Sequence, residues 1–204
     1  MFITFEGLVF CGKSTQVQLL EKYLIEKGKQ VGIIREPGGT PISEKIRDIL
    51  LDTKNSEMSI ETELILFSGS RSQLVHEVII PALEKNVYVI SDRFHDSSIA
   101  YQSFGRKIDL DFVTSLQNFV IGKAIPNLTF LIDIPIDVMV KRMSKVKKIE
   151  LDRIESTKID FYERVRSGYL YLAEKEKRFL IIDGTLSIDK IHEIVIRKIE
   201  TTVK

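Results

Sequence analysis

An α/β domain is the fold class this sequence predicts, with a parallel sheet covered by helices on both faces. Three observations carry it: five short apolar runs with little polar alternation, helix-like stretches between them, and a glycine-framed loop between the first run and the first helical stretch. The runs are Phe2–Phe5, Val31–Ile34, Val87–Ile90, Leu128–Ile132 and Phe179–Ile182. They are rich in Val, Ile and Phe, as strands buried on both faces require. The first helical pattern covers Ser14 to Glu26. Near the C-terminal end Ile159, Tyr162, Val165, Tyr169, Leu172 and Ala173 step by three and four, which makes one apolar stripe and a core-facing helix.

The 204 residues, with no repeat, low-complexity tract or interdomain linker, predict a single domain over 1–204. Thirty basic against 29 acidic residues give a formal charge of +1, which offers bulk attraction to neither nucleic acid nor membrane. Local clusters must therefore carry any recognition of anions. The most basic stretch is 141–148; by itself it reads as a solvated helix end, and between two helices it also suits a lid over a polyanion. Cys11 is the single cysteine, so no intrachain disulfide forms, and no signal-like or membrane-spanning run is present. A cytoplasmic setting is the expectation.

The loop Gly7-Leu8-Val9-Phe10-Cys11-Gly12-Lys13-Ser14-Thr15 satisfies G-x-x-x-x-G-K-[ST] between a strand and a helix. In that context the backbone N–H groups cradle phosphate, Lys13 reaches the β- and γ-phosphates, and the Ser14 hydroxyl ligates Mg²⁺. This is a P-loop NTPase pattern and predicts ATP binding on a five-stranded, three-layer α/β/α fold. The motif alone does not separate kinases from other NTPases. A convincing guanine-reading N-K-x-D is not found, which argues against a GTPase switch.

Other phosphate-facing groups stand after later strands. Arg35 opens a Glu36-Pro37-Gly38-Gly39 turn at a strand's carboxyl end, and Arg47 follows on the next helix. Asp92, in Ser91-Asp92-Arg93-Phe94, is placed to help hold Mg²⁺, and Arg93 to meet a phosphate that changes hands. Ser97, Ser98, Tyr101 and Gln102 supply polar and aromatic groups for a sugar or base. His76, His95 and His192 lack metal-ligand spacing.

With REPGGTP at 35–41, EKIRDILL at 44–51, FSGSRSQLVHEVIIPAL at 67–83, SDRFHDSSIAYQ at 91–102 and ELDRIE at 150–155, the chain resembles the bacterial thymidylate kinases over nearly its whole length. That resemblance implies transfer of phosphate from ATP, with Mg²⁺, to dTMP, giving dTDP on the way to dTTP. It implies that Arg93 touches the transferred phosphate, that Arg35 and Arg47 hold the acceptor phosphate, and that Phe67 stacks on thymine. It further implies that Arg71 bonds the base edge, that Ser98 and Gln102 complete the pocket, and that Tyr101 lies against the sugar. A lid over about 142–156 would supply Arg153 to the ATP phosphates, with Lys147 and Lys148 as alternatives. The family's dimer implies a homodimer. Two residues depart from the pattern: Val9 stands where the family has an acidic or polar residue, and Phe10 where it has glycine or arginine, at a position where positive φ is often wanted. The alternatives are a related monophosphate kinase with shifted substrate choice and a weakly active nucleotide-binding relative.

Overall fold

The computed structural model of the protein describes residues 1–145 and 151–202. Lys147, Lys148 and Glu150, named above, lie outside the described residues. Among the described residues five parallel strands form one sheet in the order β2-β3-β1-β4-β5. They are β1 (Phe2–Glu6), β2 (Val31–Arg35), β3 (Tyr88–Asp92), β4 (Leu128–Asp133) and β5 (Phe179–Asp183). Four of the five predicted runs overlap their strands closely but stop one residue early, and the third is offset as well. Each strand ends on a charged residue that the apolar pattern does not reveal. The ladder still pairs there, with Arg35 opposite Asp92 and Asp133 opposite Asp183.

Burial on both faces holds for the central strands only. β1 is wholly buried, whereas β2 and β5 are the sheet edges, where Ile33 is 39% and Ile181 50% exposed. Along β1 the side chains alternate between the two faces. Phe2 packs with Leu74, Val75, Phe94 and Ile121; Ile3 and Phe5 pack with Leu20, Phe130, Tyr162 and Val165. Phe2 meets Phe94 edge to face at 4.9 Å and Phe5 meets Phe130 at 5.0 Å. Each such ring removed from water contributes roughly 1.5–3 kcal/mol, which anchors the strand before the glycine loop in the core.

The helices are α1 (Lys13–Glu26), α2 (Pro41–Leu51), α3 (Ile60–Leu74), α4 (Ile80–Glu84), α5 (His95–Ser98), α6 (Leu110–Ile121), α7 (Ile136–Met143), α8 (Ile159–Lys175) and α9 (Ile188–Thr202). Thr40 caps α2 by accepting from the Ser43 N–H at 3.1 Å, with Pro41 at the first helical position, and Ser59 caps α3 by accepting from Thr62. α5 runs on into a π-helical segment, Ile99–Gly105, and α8 lies against it. A Cβ on Gly168 would meet Phe104 at 2.8 Å and the Ala100 Cα at 3.0 Å, so glycine permits that close approach. In α8 the stripe holds for Tyr162, Val165, Tyr169 and Leu172, while its first member, Ile159, is 48% exposed. Among the described residues no helix is long and apolar enough to cross a membrane.

Candidate active site

The parallel sheet brings Glu6, Arg35 and Asp92 to one edge, and the loops leaving it enclose a cavity of about 590 Å³. At its floor the loop after β1 turns on Gly7, with φ 137, where a Cβ would sit 2.4 Å from the Ile132 carbonyl oxygen. Gly12, at φ 102, launches α1. Phe10 adopts φ 60, the left-handed conformation anticipated for that position, and its ring packs partly against the core. Val9 is nearly buried and lines the cavity; Leu8 and Cys11 are each 1% exposed and turn into the core, so they contribute backbone and the thiol is shielded. Thr15 is exposed on the first turn of α1 and lines the cavity as well.

Lys13 Nζ donates to the carbonyls of Leu8 at 2.8 Å and Gly7 at 3.3 Å. Ser14 Oγ donates to Asp92 Oδ2 at 2.5 Å. That pairing joins two hard oxygen ligands from distant parts of the chain at the helix N-terminus. Such a donor set fits Mg²⁺, which takes one or two protein oxygens and completes its shell with phosphates and water. Among the described residues no three His, Cys, Asp or Glu side chains converge on one point.

All eight residues expected around dTMP line this cavity: Arg35, Arg47, Phe67, Arg71, Arg93, Ser98, Tyr101 and Gln102. Their bonding differs sharply. Arg35 is more than half exposed and meets Glu44 at 3.3 Å, a surface pair worth about 0–1 kcal/mol, so its charge is available to a ligand. Arg47 donates to the Pro37 carbonyl at 2.7 Å, and burial together with Arg35 lowers its pKa. Arg93 stands at φ 73 and donates to Gly7 O at 2.9 Å, Tyr169 OH at 3.0 Å, Tyr101 OH at 3.2 Å and Ser97 Oγ at 3.3 Å. Burial works to lower its pKa, but the net effect of Tyr101, Tyr169, Asp92 and Glu6 raises it, which keeps it cationic.

Arg71 is 1% exposed and saturated by protein partners. It donates to Glu36 Oε2, Ser98 Oγ, Gln117 Oε1 and the Phe94 carbonyl at 2.5–3.1 Å. Burial raises the Glu36 pKa while Arg71 pulls it down. Here Arg71 is the hub of a buried network on which the pocket wall is hung. Gln102 donates to Glu63 at 3.0 Å, and Ser98 receives from Arg71, so both polar groups are already oriented by neighbours.

Arg153 does not line the cavity. Its guanidinium meets Glu63 at 2.8 Å and the Leu50 carbonyl at 2.8 Å, and Glu63 also binds Arg106. The expected donor-side cation is thus docked on α3, away from the glycine loop, because a buried carboxylate there outcompetes open solvent. Among the described residues, Arg142 is a cation from beyond the loop that lies against it. It donates to the carbonyls of Phe10 at 3.1 Å, Cys11 at 3.3 Å and Gly184 at 2.8 Å. The basic stretch from 141 was its signal. Glu6, Glu36, Glu63, Gln117 and Tyr169 also bond at the site; Glu36 stood in the turn motif and Tyr169 in the apolar stripe, but no local pattern assigned any of the five a polar role, since each depends on partners far along the chain.

Comparison with known proteins follows this geometry. The model of the family described as thymidylate kinase matches residues 5–195. A curated thymidylate kinase of Kosmotoga olearia is 51% identical over 199 residues, covering 97% of this chain and 94% of its own. One of Thermosipho melanesiensis is 50% identical over 201 residues, covering 98% of each. The crystal structure of the thymidylate kinase from Ehrlichia chaffeensis superposes with a TM-score of 0.78 at 35% identity, covering 98% of both chains.

Proposed function

The chain belongs to the thymidylate kinase family, and from that premise we propose that it transfers the γ-phosphoryl group of ATP to dTMP, giving dTDP and ADP for dTTP synthesis. The observation that carries this is the single cavity in which the glycine loop, Ser14 and Asp92 face Arg35, Arg47, Arg93 and Phe67. A flat pyrimidine suits the Phe67 ring, and the arginines suit a monophosphate. Phosphoryl transfer needs positioning and charge neutralisation more than acid–base chemistry, and these groups supply both.

In this reading the loop and Lys13 hold the ATP phosphates. Ser14 and Asp92 would hold Mg²⁺, which would supply charge neutralisation for the phosphates. Arg35 and Arg47 hold the acceptor phosphate, and Arg93 touches the group in transfer. Phe67 stacks on the base, Ser98 and Gln102 bound it, and Tyr101 packs by the sugar. Arg142 is the donor-side cation at the glycine loop, and Arg153 fastens the segment after residue 150 to Glu63. The lid expected over about 142–156, of which 146–150 lie outside the described residues, would serve to exclude water, the competing acceptor. A cytoplasmic homodimer completes the proposal; Ile65 on α3 and Phe119 on α6 are exposed apolar groups that a partner would cover. Family membership at this identity does not favour the shifted or weakly active alternatives.

A coupled assay of ADP release, run with dTMP, dUMP, UMP, CMP and AMP in turn, tests the substrate. The expected result is a clear preference for dTMP; equal rates with all five would overturn it. Sedimentation at micromolar concentration tests the dimer, with a monomer as the refuting result.

A further inference from the structure

Behind Arg93 lies a buried carboxylate with no role in the reaction outlined so far. Glu6 is the last residue of β1 and is 0% exposed. Its Oε1 accepts from the Phe94 N–H at 2.7 Å. Its Oε2 accepts from Ser97 Oγ at 2.6 Å and from Tyr169 OH at 2.9 Å. Both hydroxyls in turn receive N–H bonds from Arg93 Nη1, at 3.3 and 3.0 Å. Ser97 and Tyr169 are themselves 8% and 1% exposed, so bulk water does not compete for these groups. With Glu6 ionised, both hydroxyl protons can turn to its Oε2 while both oxygens offer lone pairs to Arg93; Ser97 Oγ and Tyr169 OH also lie 2.8 Å apart, so a proton turned away from Glu6 has the other hydroxyl to go to. The same carboxylate also grips the backbone just after Arg93, whose φ of 73 is a strained conformation for a residue that bears a Cβ.

We propose that Glu6, acting through the hydroxyls of Ser97 and Tyr169, is a positioning residue that sets the guanidinium of Arg93 for phosphoryl transfer. The proposal rests on the assignment of Arg93 to the transferred phosphate. Tyr169 is thereby more than a member of the apolar stripe of α8: its ring is core and its hydroxyl is a relay. An ionised Glu6 is the state that orients the relay. A neutral Glu6, or a glutamine, donates to one of the hydroxyls, whose own proton then turns away from Glu6 to the neighbouring hydroxyl 2.8 Å away, and the pair no longer presents the same acceptor directions to Arg93.

The charged and titratable groups around Glu6 are Asp96 on α5, Arg93 after β3, Tyr101, Tyr169 on α8 and Arg178 before β5. Burial, and then the charge of Asp96, raise the Glu6 pKa to about 7; Arg93 and the two hydroxyl bonds pull the other way. Asp96 is itself held ionised by two bonds of 2.7 Å from Arg178. Loss of the Glu6 proton through the neutral range therefore accompanies a gain in turnover.

The test uses the full chain and two variants, Glu6→Gln and the double variant Ser97→Ala with Tyr169→Phe. Glu6→Gln is expected to lower kcat about 10- to 100-fold with the KM of ATP and of dTMP within about threefold, the split that marks an interaction made in the transition state. Its kcat should also lose the rise near pH 7 and keep only a limb near pH ~6 from the nucleotide phosphate. The double variant should show the same loss of kcat, and adding Glu6→Gln to it should lower kcat little further. Wild-type kcat in either variant, or a loss confined to KM, overturns the relay. If the wild type turns over no dTMP, the substrate assignment fails by itself. The relay is then read by ¹⁵N NMR of Arg93, whose Nη signals should be distinct in the wild type and merge in Glu6→Gln; signals unchanged by the substitution overturn it.

Discussion

Replacing Phe10 by glycine and, separately, by alanine isolates the backbone strain in the nucleotide loop. Both substitutions remove the same partly buried ring, so the packing loss, about 1 kcal/mol for a half-buried aromatic, cancels between them. What remains is the conformation. At φ 60 an alanine bears the left-handed penalty of about 1–2 kcal/mol, and glycine bears none. Glycine gives back roughly 0.4–1 kcal/mol through its freer unfolded chain. The glycine variant should therefore be the more stable of the two by about 0.5–1 kcal/mol, the reverse of the order at a right-handed position. For a chain of this size that difference is a Tm gap of roughly 1–4 °C. Urea unfolding of the two nucleotide-free variants, followed by circular dichroism and fitted with a common slope, measures it. An alanine variant equal to or more stable than the glycine variant would refute the strain at Phe10.

Two further predictions concern acid and the donor site. Buried His95 has its pKa lowered to about 4 by loss of solvation, so its contribution is intact above the unfolded value of 6.5 and is lost as pH falls from there towards 4, at about 1.4 kcal/mol per pH unit. Glu6, with its pKa raised from 4.5 to about 7, works in the opposite sense over the same range, gaining stability as pH falls. The His95 effect is therefore read as the difference between wild type and His95→Gln, which should shrink by roughly 3 kcal/mol between pH 7 and pH 4; a constant difference would contradict the neutral buried imidazole. Arg142→Ala should raise the KM of ATP about tenfold and leave the KM of dTMP within about twofold in steady-state assays, because its partners are the Phe10 and Cys11 carbonyls of the donor loop.

The five strands, their parallel class and the glycine loop were legible from local pattern, because a buried strand must be apolar and a phosphate cradle must have glycine at Gly7 and Gly12. The edge positions of β2 and β5 were not. Val31–Ile34 and Phe179–Ile182 are as apolar as the central runs, and strand order is a long-range property. The residues around the cavity were legible as a set, since eight of them sit in short motifs, most of them following strands and Phe67 and Arg71 on α3, and reach the same cavity. Their bonding was not. Arg71 and Arg153 look alike in sequence, as cations within motifs. Yet Glu36 and Gln117 saturate the first, and Glu63, ninety positions from the second, holds it on α3. A charged side chain settles where its counter-charge is buried, and no window of sequence contains both partners. Tyr169 shows the same limit from the apolar side: helical spacing reports where its ring goes and is silent about its hydroxyl.

The strand order also divides the labour of the site. β1 runs down the middle as a seam, with Phe5 registered on Asp92 on one side and Glu6 on Leu131 on the other. The β2–β3 half delivers Arg35, Asp92 and Arg93; the β4–β5 half adjoins Arg142 and Gly184. In the proposed reading the acceptor side hangs mostly on the β2–β3 half, while the donor side spans the seam, because Asp92 pairs with Ser14 from the loop after β1. Substitutions at Arg35 or at Arg47, which leave the Ser14–Asp92 pair in place, are expected to change monophosphate binding more than the triphosphate cradle. A small shear of one half against the other along β1 changes the gap between the two nucleotides directly.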